Sequence, residues 1–195
     1  QKEIWLSIQI DPKASCAYNE SVNLDLIGKL DPSALKRSIQ LLIDRHEGLR
    51  TTLTKNGASM NILRSSSAVI TEHDLSSLNK EELEQKFNAL IEEDQNTVFD
   101  IVQGPLFRSI IVKISDHRTI LVLNAHHLIC DGWSMGVMMA EISIIYSALV
   151  KEETPQLKEV YGLSEYAVDQ IELMASEEYK AIESYWLDEF KGKVP

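Results

Sequence analysis

With 195 residues and 44% hydrophobic side chains the chain can bury a core of ordinary size, which sets one domain, or one lobe of a larger one, as the prior and excludes disorder. Thirty acidic residues against 19 basic ones give a net charge of -11, a field that repels phosphate backbones and anionic lipid surfaces and so argues against nucleic-acid or membrane partners. Cys16 and Cys130 stand far apart, with neither a CxxC nor a metal-ligand spacing, which fits a reducing, cytoplasmic setting better than a disulfide framework.

Gln1 opens in mid-helical pattern, and "QKEIWLSIQI" lacks the cationic and apolar regions of a secretory signal. No apolar run approaches the roughly 18 residues of a membrane span. Residues 21–30, "SVNLDLIGKL", alternate apolar and polar side chains as a half-buried strand does. A helix follows, with Asp31 as N-cap, Pro32 at the first helical position, and Leu35, Ile39, Leu42 and Ile43 on one face.

Asn56-Gly57 lies between two strand-like runs and predicts a hairpin. Asn79 and Glu82 form a capping-box pattern before a helix whose buried side carries Leu83, Phe87, Leu90 and Ile91. Two neighbouring strands then flank a turn at residues 115–118, the second so apolar that a central place in the sheet is expected. Residues 131–149 read as a helix apolar almost all round, hence buried, with Met135, Met138 and Met139 as core packing. A last helix is expected over about residues 163–190, and "EFKGKVP" closes like a connector in a longer polypeptide. Alternating helices and strands together with hairpins point to an α/β chain of the α+β type, a mixed β-sheet covered by helices.

"HHLICDGWS" sits at the mouth of that apolar strand. Adjacent strand residues point to opposite faces, so only one of His126 and His127 can face a given cleft. Taken singly, His126 reads as a satisfied core residue. A histidine in the cleft can take a proton from an incoming nucleophile or hold it by a hydrogen bond, which suits acyl transfer between two bound substrates. Asp131 can cap the next helix or hold a distant cation, and Gly132 allows close approach to the backbone. No Gly-x-Ser-x-Gly elbow appears, and diverging histidines weigh against a metal site, so the expectation for metal is none. Trp133 lines a tunnel or anchors the helix.

These residues resemble the His-His-x-x-x-Asp-Gly motif of nonribosomal peptide synthetase condensation domains, relatives of chloramphenicol acetyltransferase. "LLIDRHEGLRTTL" resembles the family's Arg-His-Glu-x-Leu-Arg-Thr motif, "FDIVQGPLFRSIIVKI" its Gly-Pro-Leu-x-Arg segment, and "YWLDEFKG" its Tyr-Trp segment, all in the family's order. "QKEIWLSIQ" keeps the Gln and Trp of the opening motif but has Leu6 and Ser7 where aromatic residues are common, and Leu53 stands where Phe is usual. "CAYNES" is similar to variants from hybrid polyketide-peptide assembly lines.

The resemblance implies that residues 1–195 are the N-terminal lobe, chloramphenicol acetyltransferase-like in fold, without the C-terminal lobe and its bridging and latch segments. It implies amide bond formation between a donor acyl or peptidyl thioester and an acceptor aminoacyl thioester, each on the phosphopantetheine arm of a carrier domain, with no cofactor bound by the lobe. His127 matches the catalytic histidine. Asp131 matches a carboxylate that organises the site, with Arg45, in preference to Arg50, as its expected partner, and Gly132 gives close backbone approach. His126, Trp133 and Ser134 complete the motif or the tunnel wall. Two alternatives stand beside this one: a coenzyme A-dependent acyltransferase, which would need a basic patch, and a non-catalytic carrier-docking module. His126 excludes a cyclisation domain, where Asp stands at that position.

Overall fold

The computed structural model describes residues 2–192; Gln1 and residues 193–195 lie outside the described residues, and with them the Gln of the opening motif and the end of the connector. In chain order the elements are α1 (Lys2–Ile10), a 3-10 turn (Pro12–Tyr18), β1 (Asn19–Ile27), α2 (Pro32–Arg45), a second 3-10 turn (Glu47–Arg50), β2 (Thr51–Leu53), β3 (Met60–Ile62), β4 (Ile70–Asp74), α3 (Lys80–Gln95), β5 (Phe107–Ser115), β6 (Arg118–His126), α4 (Gly132–Val150), α5 (Leu163–Ala175) and α6 (Glu177–Glu189). They fall into two compact units, Gln1–Lys158 and Glu159–Pro195.

The first unit is built on a four-stranded sheet in the order β1-β6-β5-β4. β6 runs antiparallel to both β1 and β5, and β4 is parallel to β5, so the sheet is mixed and its most apolar strand has a neighbour on each side. Residue parity along these strands decides which helix each side chain meets. Phe107, Ile111, Leu121, Leu123 and Ala125 pack with Leu35, Ile39 and Leu42 of α2 and Met135, Met138 and Ile142 of α4. The alternate residues Ile110, Val112 and Val122 pack with Leu90 of α3 and, at its margin, Leu83, Phe87 and Ile91. A third cluster joins Ile8 of α1, Leu53, Phe99, Ile101, Leu106 and Leu128 beside the end of β6.

Local signals account for the helix starts. The Asp31 carboxylate accepts the Ser33 and Ala34 amides at 2.8 and 3.0 Å. Asn79 and Glu82 form the reciprocal capping box at the start of α3. The Asn56-Gly57 turn joins β2 to β3 in an antiparallel pair, with Gly57 at φ +64°. Gly57 is needed twice over: a side chain would be strained at this φ, and its Cβ would lie 2.3 Å from the Trp5 ring.

Three expectations are corrected. α4 is buried along one line only, Met135, Met138, Ile142, Ile145 and Ala148, while Trp133, Val137, Ile144 and Val150 are exposed. Among the described residues it is the one helix long and apolar enough to cross a membrane by length and composition, against the reading that no run came close; here its buried line covers the sheet. The last helix is two helices. The Ser176 hydroxyl donates to Leu173 O at 2.6 Å and accepts the Tyr179 amide at 3.1 Å, ending α5 and capping α6 with one side chain. Ser176 itself is extended, ψ 156°, which breaks the helical ladder there. Within this second unit the Tyr161 hydroxyl donates to the Asp169 carboxylate, and Trp186 stacks on Phe190.

Candidate active site

β6 ends at His126, and after a short turn the chain enters α4 at Gly132. His126 is fully buried, between the rings of Tyr18 and Phe99. The Leu128 amide donates to its Nδ1 at 3.1 Å, so the ring proton sits on Nε2 and is donated to Ser15 Oγ, also at 3.1 Å. Burial, with His127 adding to it, pushes the His126 pKa down to about 4. A neutral ring with both nitrogens engaged is a fixed part of the wall.

His127 is placed differently. Its amide donates to Tyr18 O at 2.8 Å, tying the turn to the start of β1, and its side chain is 38% exposed. Nδ1 is closed off from solvent and lies 3.1 Å from Glu20 Oε1, off the hydrogen-bond line. Among the described residues none bonds Nε2. The site therefore offers one accessible imidazole nitrogen at the end of the sheet.

Asp131 is the N-cap of α4. Its carboxylate accepts the Ser134 hydroxyl at 2.7 Å and the Ser134 amide at 2.8 Å, and these bonds hold it below the usual carboxylate range. Neither Arg45 nor Arg50 joins it, which corrects the expected pairing. Arg45 Nε donates to Glu141 Oε2 at 3.0 Å, and its guanidinium also reaches Lys158 O. Arg50 is spent on the carbonyls of Ile43 and Leu63. The reason is distance along α4: Glu141 lies ten residues beyond Asp131, about 15 Å at 1.5 Å per residue.

Gly132 opens α4 in open space: a side-chain carbon added there would meet nothing within 4 Å. Trp133 is 84% exposed, so among the described residues it does not anchor the helix. The Cys130 thiol is pushed up to about 12 by burial and then by Asp131 and Glu20, which leaves it protonated and without a nucleophilic role. Among the described residues no three His, Cys, Asp or Glu side chains gather as metal ligands.

Sequence reading missed three groups. Glu20 stands opposite Ala125 in the β1–β6 register, so it shares a face with His127 two residues further on; the alternation in "NESVNLDL" carried that signal, but the pairing of strands a hundred residues apart did not. Glu141 receives both Arg45 and His46, the latter at 2.7 Å. Asp94 of α3 receives Arg108 and Asn124, with the Arg108 guanidinium 4.0 Å from the Phe99 ring centre, which stiffens the wall behind His126. A groove of about 700 Å³, lined by Lys29, His73, Lys113 and His117, lies at the other end of the sheet and takes no part in this site.

The family model described as Condensation domain matches residues 1–195. The chain is 32% identical to one of the linear gramicidin synthase proteins of Brevibacillus parabrevis over 198 residues, which is all of this chain and 4% of that protein. It is 33% identical to one of the plipastatin synthase proteins of Bacillus subtilis (strain 168), covering all of this chain and 5% of that one. Among solved structures, a starter condensation domain of the rhizomide synthetase RzmA superposes with a TM-score of 0.90 at 21% identity, covering all of this chain and 47% of that one. SgcC5 protein from Streptomyces globisporus superposes with a TM-score of 0.78 at 25% identity, over 90% of this chain and 40% of that one. The chain thus shares their fold, and spans about half the length of the solved structures and a few per cent of the synthases.

Proposed function

The chain belongs to the condensation-domain family, and from that premise we propose that it is the histidine-bearing, N-terminal lobe of a domain that forms an amide bond between a donor acyl or peptidyl thioester and an acceptor aminoacyl thioester. The observation that carries this reading is the division between the two histidines: His126 is locked, neutral and buried, while His127 presents one accessible nitrogen at the mouth of the sheet.

The acceptor amine attacks the donor carbonyl, the N–C bond forms, the C–S bond breaks, and the proton lost by nitrogen ends on the departing thiol. His127 Nε2 is the group in reach to hold the amine N–H or to relay that proton. Asp131 acts on the backbone: by capping α4 it sets the turn that carries His127, and Ser134 completes the cap. Arg45 works at one remove, fastening the end of α2 to α4 through Glu141. Gly132 leaves open space beside the site, and Trp133 offers an indole face to whatever forms the opposite wall.

In this reading the lobe binds no cofactor of its own. The phosphopantetheine arms belong to the donor and acceptor carrier domains, and a C-terminal lobe supplies the facing wall that brings both thioesters together and excludes water. A coenzyme A-dependent reaction would want cationic side chains for the nucleotide phosphates, and His127 has Glu20 and Asp131 for neighbours instead. The test is intact-protein mass spectrometry of the acceptor carrier, after incubation of the two-lobe domain with loaded donor and loaded acceptor. Condensed mass with native His127 that collapses in His127→Ala supports the reading; no condensed mass with either moves the coenzyme A and docking alternatives ahead of it.

A further inference from the structure

We propose that Glu20 is a positioning residue for His127: its carboxylate accepts the Nδ1 proton and thereby presents Nε2, unprotonated, to the incoming amine. This rests on the amide-forming reading above for its catalytic consequence, and on geometry alone for the tautomer.

A neutral imidazole carries one ring proton, and the partner of one nitrogen decides which nitrogen keeps it. Nδ1 of His127 is shut off from solvent, and the Glu20 carboxylate stands 3.1 Å away but off the ring N–H line, so the bond closes when the partly exposed Glu20 side chain turns onto that line. With the proton on Nε2, the Nδ1 lone pair would face a carboxylate oxygen across that gap; with the proton on Nδ1, donor meets acceptor. Asp131 is turned to the helix start, its Oδ1 taking both Ser134 bonds, and the carboxylate within ion-pair distance of His127 Nδ1 is that of Glu20.

Both partners are held by backbone rather than by side-chain chance. Glu20 sits opposite Ala125 in the ladder, and the His127 amide is bonded to Tyr18 O. A proton passed from the amine to Nε2 gives an imidazolium whose other N–H faces Glu20, and the same proton returns from Nε2 to the departing thiolate sulfur. No other reactant is needed.

Two measurements decide the matter separately. Long-range 1H–15N spectra of the 195-residue chain, labelled at histidine nitrogen, read the tautomer without any turnover. The expected result is His127 protonated at Nδ1 in the native chain, the same in Glu20→Gln, whose amide oxygen still accepts, and loss of that single tautomer in Glu20→Ala. The distinct, oppositely protonated signal of His126 reports that each variant is folded.

In the two-lobe domain, Glu20→Ala should lower kcat about 10- to 100-fold with KM for both carriers unchanged, and Glu20→Asp should recover part of it. An unchanged His127 tautomer in folded Glu20→Ala, or a change confined to KM, overturns the role given to Glu20. Absence of condensation by the native domain sinks the amide-forming reading alone, since the tautomer spectra still support or overturn the Glu20 contact.

Discussion

Burial holds His126 neutral to about pH 4, and that has a thermodynamic consequence because the same ring titrates near 6.5 in an unfolded chain. Between those values the unfolded state binds a proton that the folded state does not, so stability is complete above pH 6.5 and declines as pH falls toward 4. The shift corresponds to about 3 kcal/mol over that window. Denaturant titrations at a series of pH values should show the decline in the native chain and a flatter line in His126→Gln; equal slopes would remove His126 as its cause. His126→Ala should cost about 2–4 kcal/mol at pH 7, because the buried Ser15 hydroxyl loses its bond to the ring and a cavity opens where the ring stood. Gly132→Ala makes the opposite case: nothing stands within 4 Å, so the melting temperature should hold. If the open space beside Gly132 is where a thioester arm passes, the two-lobe domain loses turnover with that substitution while keeping its stability.

α4 is held at its start by Asp131 and in its middle by Glu141, and the two supports can be separated. Asp131→Ala removes the cap and should cost about 1 kcal/mol, with Asp131→Asn close to native, since either side chain can accept the Ser134 amide. Glu141→Ala leaves Arg45 and His46 partly buried without their shared acceptor and should cost about 1–3 kcal/mol, read by thermal or chemical unfolding. Features such as the Asp131 cap were legible because they are local: Asp31 with Pro32, Asn79 with Glu82, and Asn56-Gly57 each signal within a few residues. β4 was not legible. Its "ITEHD" is mostly polar, an edge strand paired on one side, and its parallel partner β5 lies beyond a whole helix. The Ser176 break was written in the chain as a Ser before two glutamates, but it was hidden inside a pattern that stays helical on both sides. The His-His-x-x-x-Asp-Gly stretch showed half of the site for the same reason of locality, whereas Glu20 and Glu141 enter through strand register and helix length, which depend on the assembled fold.

Exposed side chains bear on what the whole molecule requires. Trp133 and Val137 stand out from the first turns of α4, and in the second unit Tyr185, Trp186, Leu187 and Phe190 are each more than half exposed. Apolar surface of this kind is stabilised when another surface covers it, at roughly 25 cal/mol per Å² removed from water. The proposed reaction makes the same demand in chemical terms: His127 is accessible from solvent, and holding two thioesters at reacting distance would need a second wall. The 195-residue chain by itself should therefore give no condensed product with loaded donor and acceptor carriers, while the two-lobe domain does. Mass spectrometry of the acceptor carrier reads both arms of that comparison. Product formed by the chain alone would mean that this lobe, or a self-assembly of it, encloses the reaction unaided, and a concentration series would tell those apart, since only self-assembly makes the specific rate rise with protein concentration.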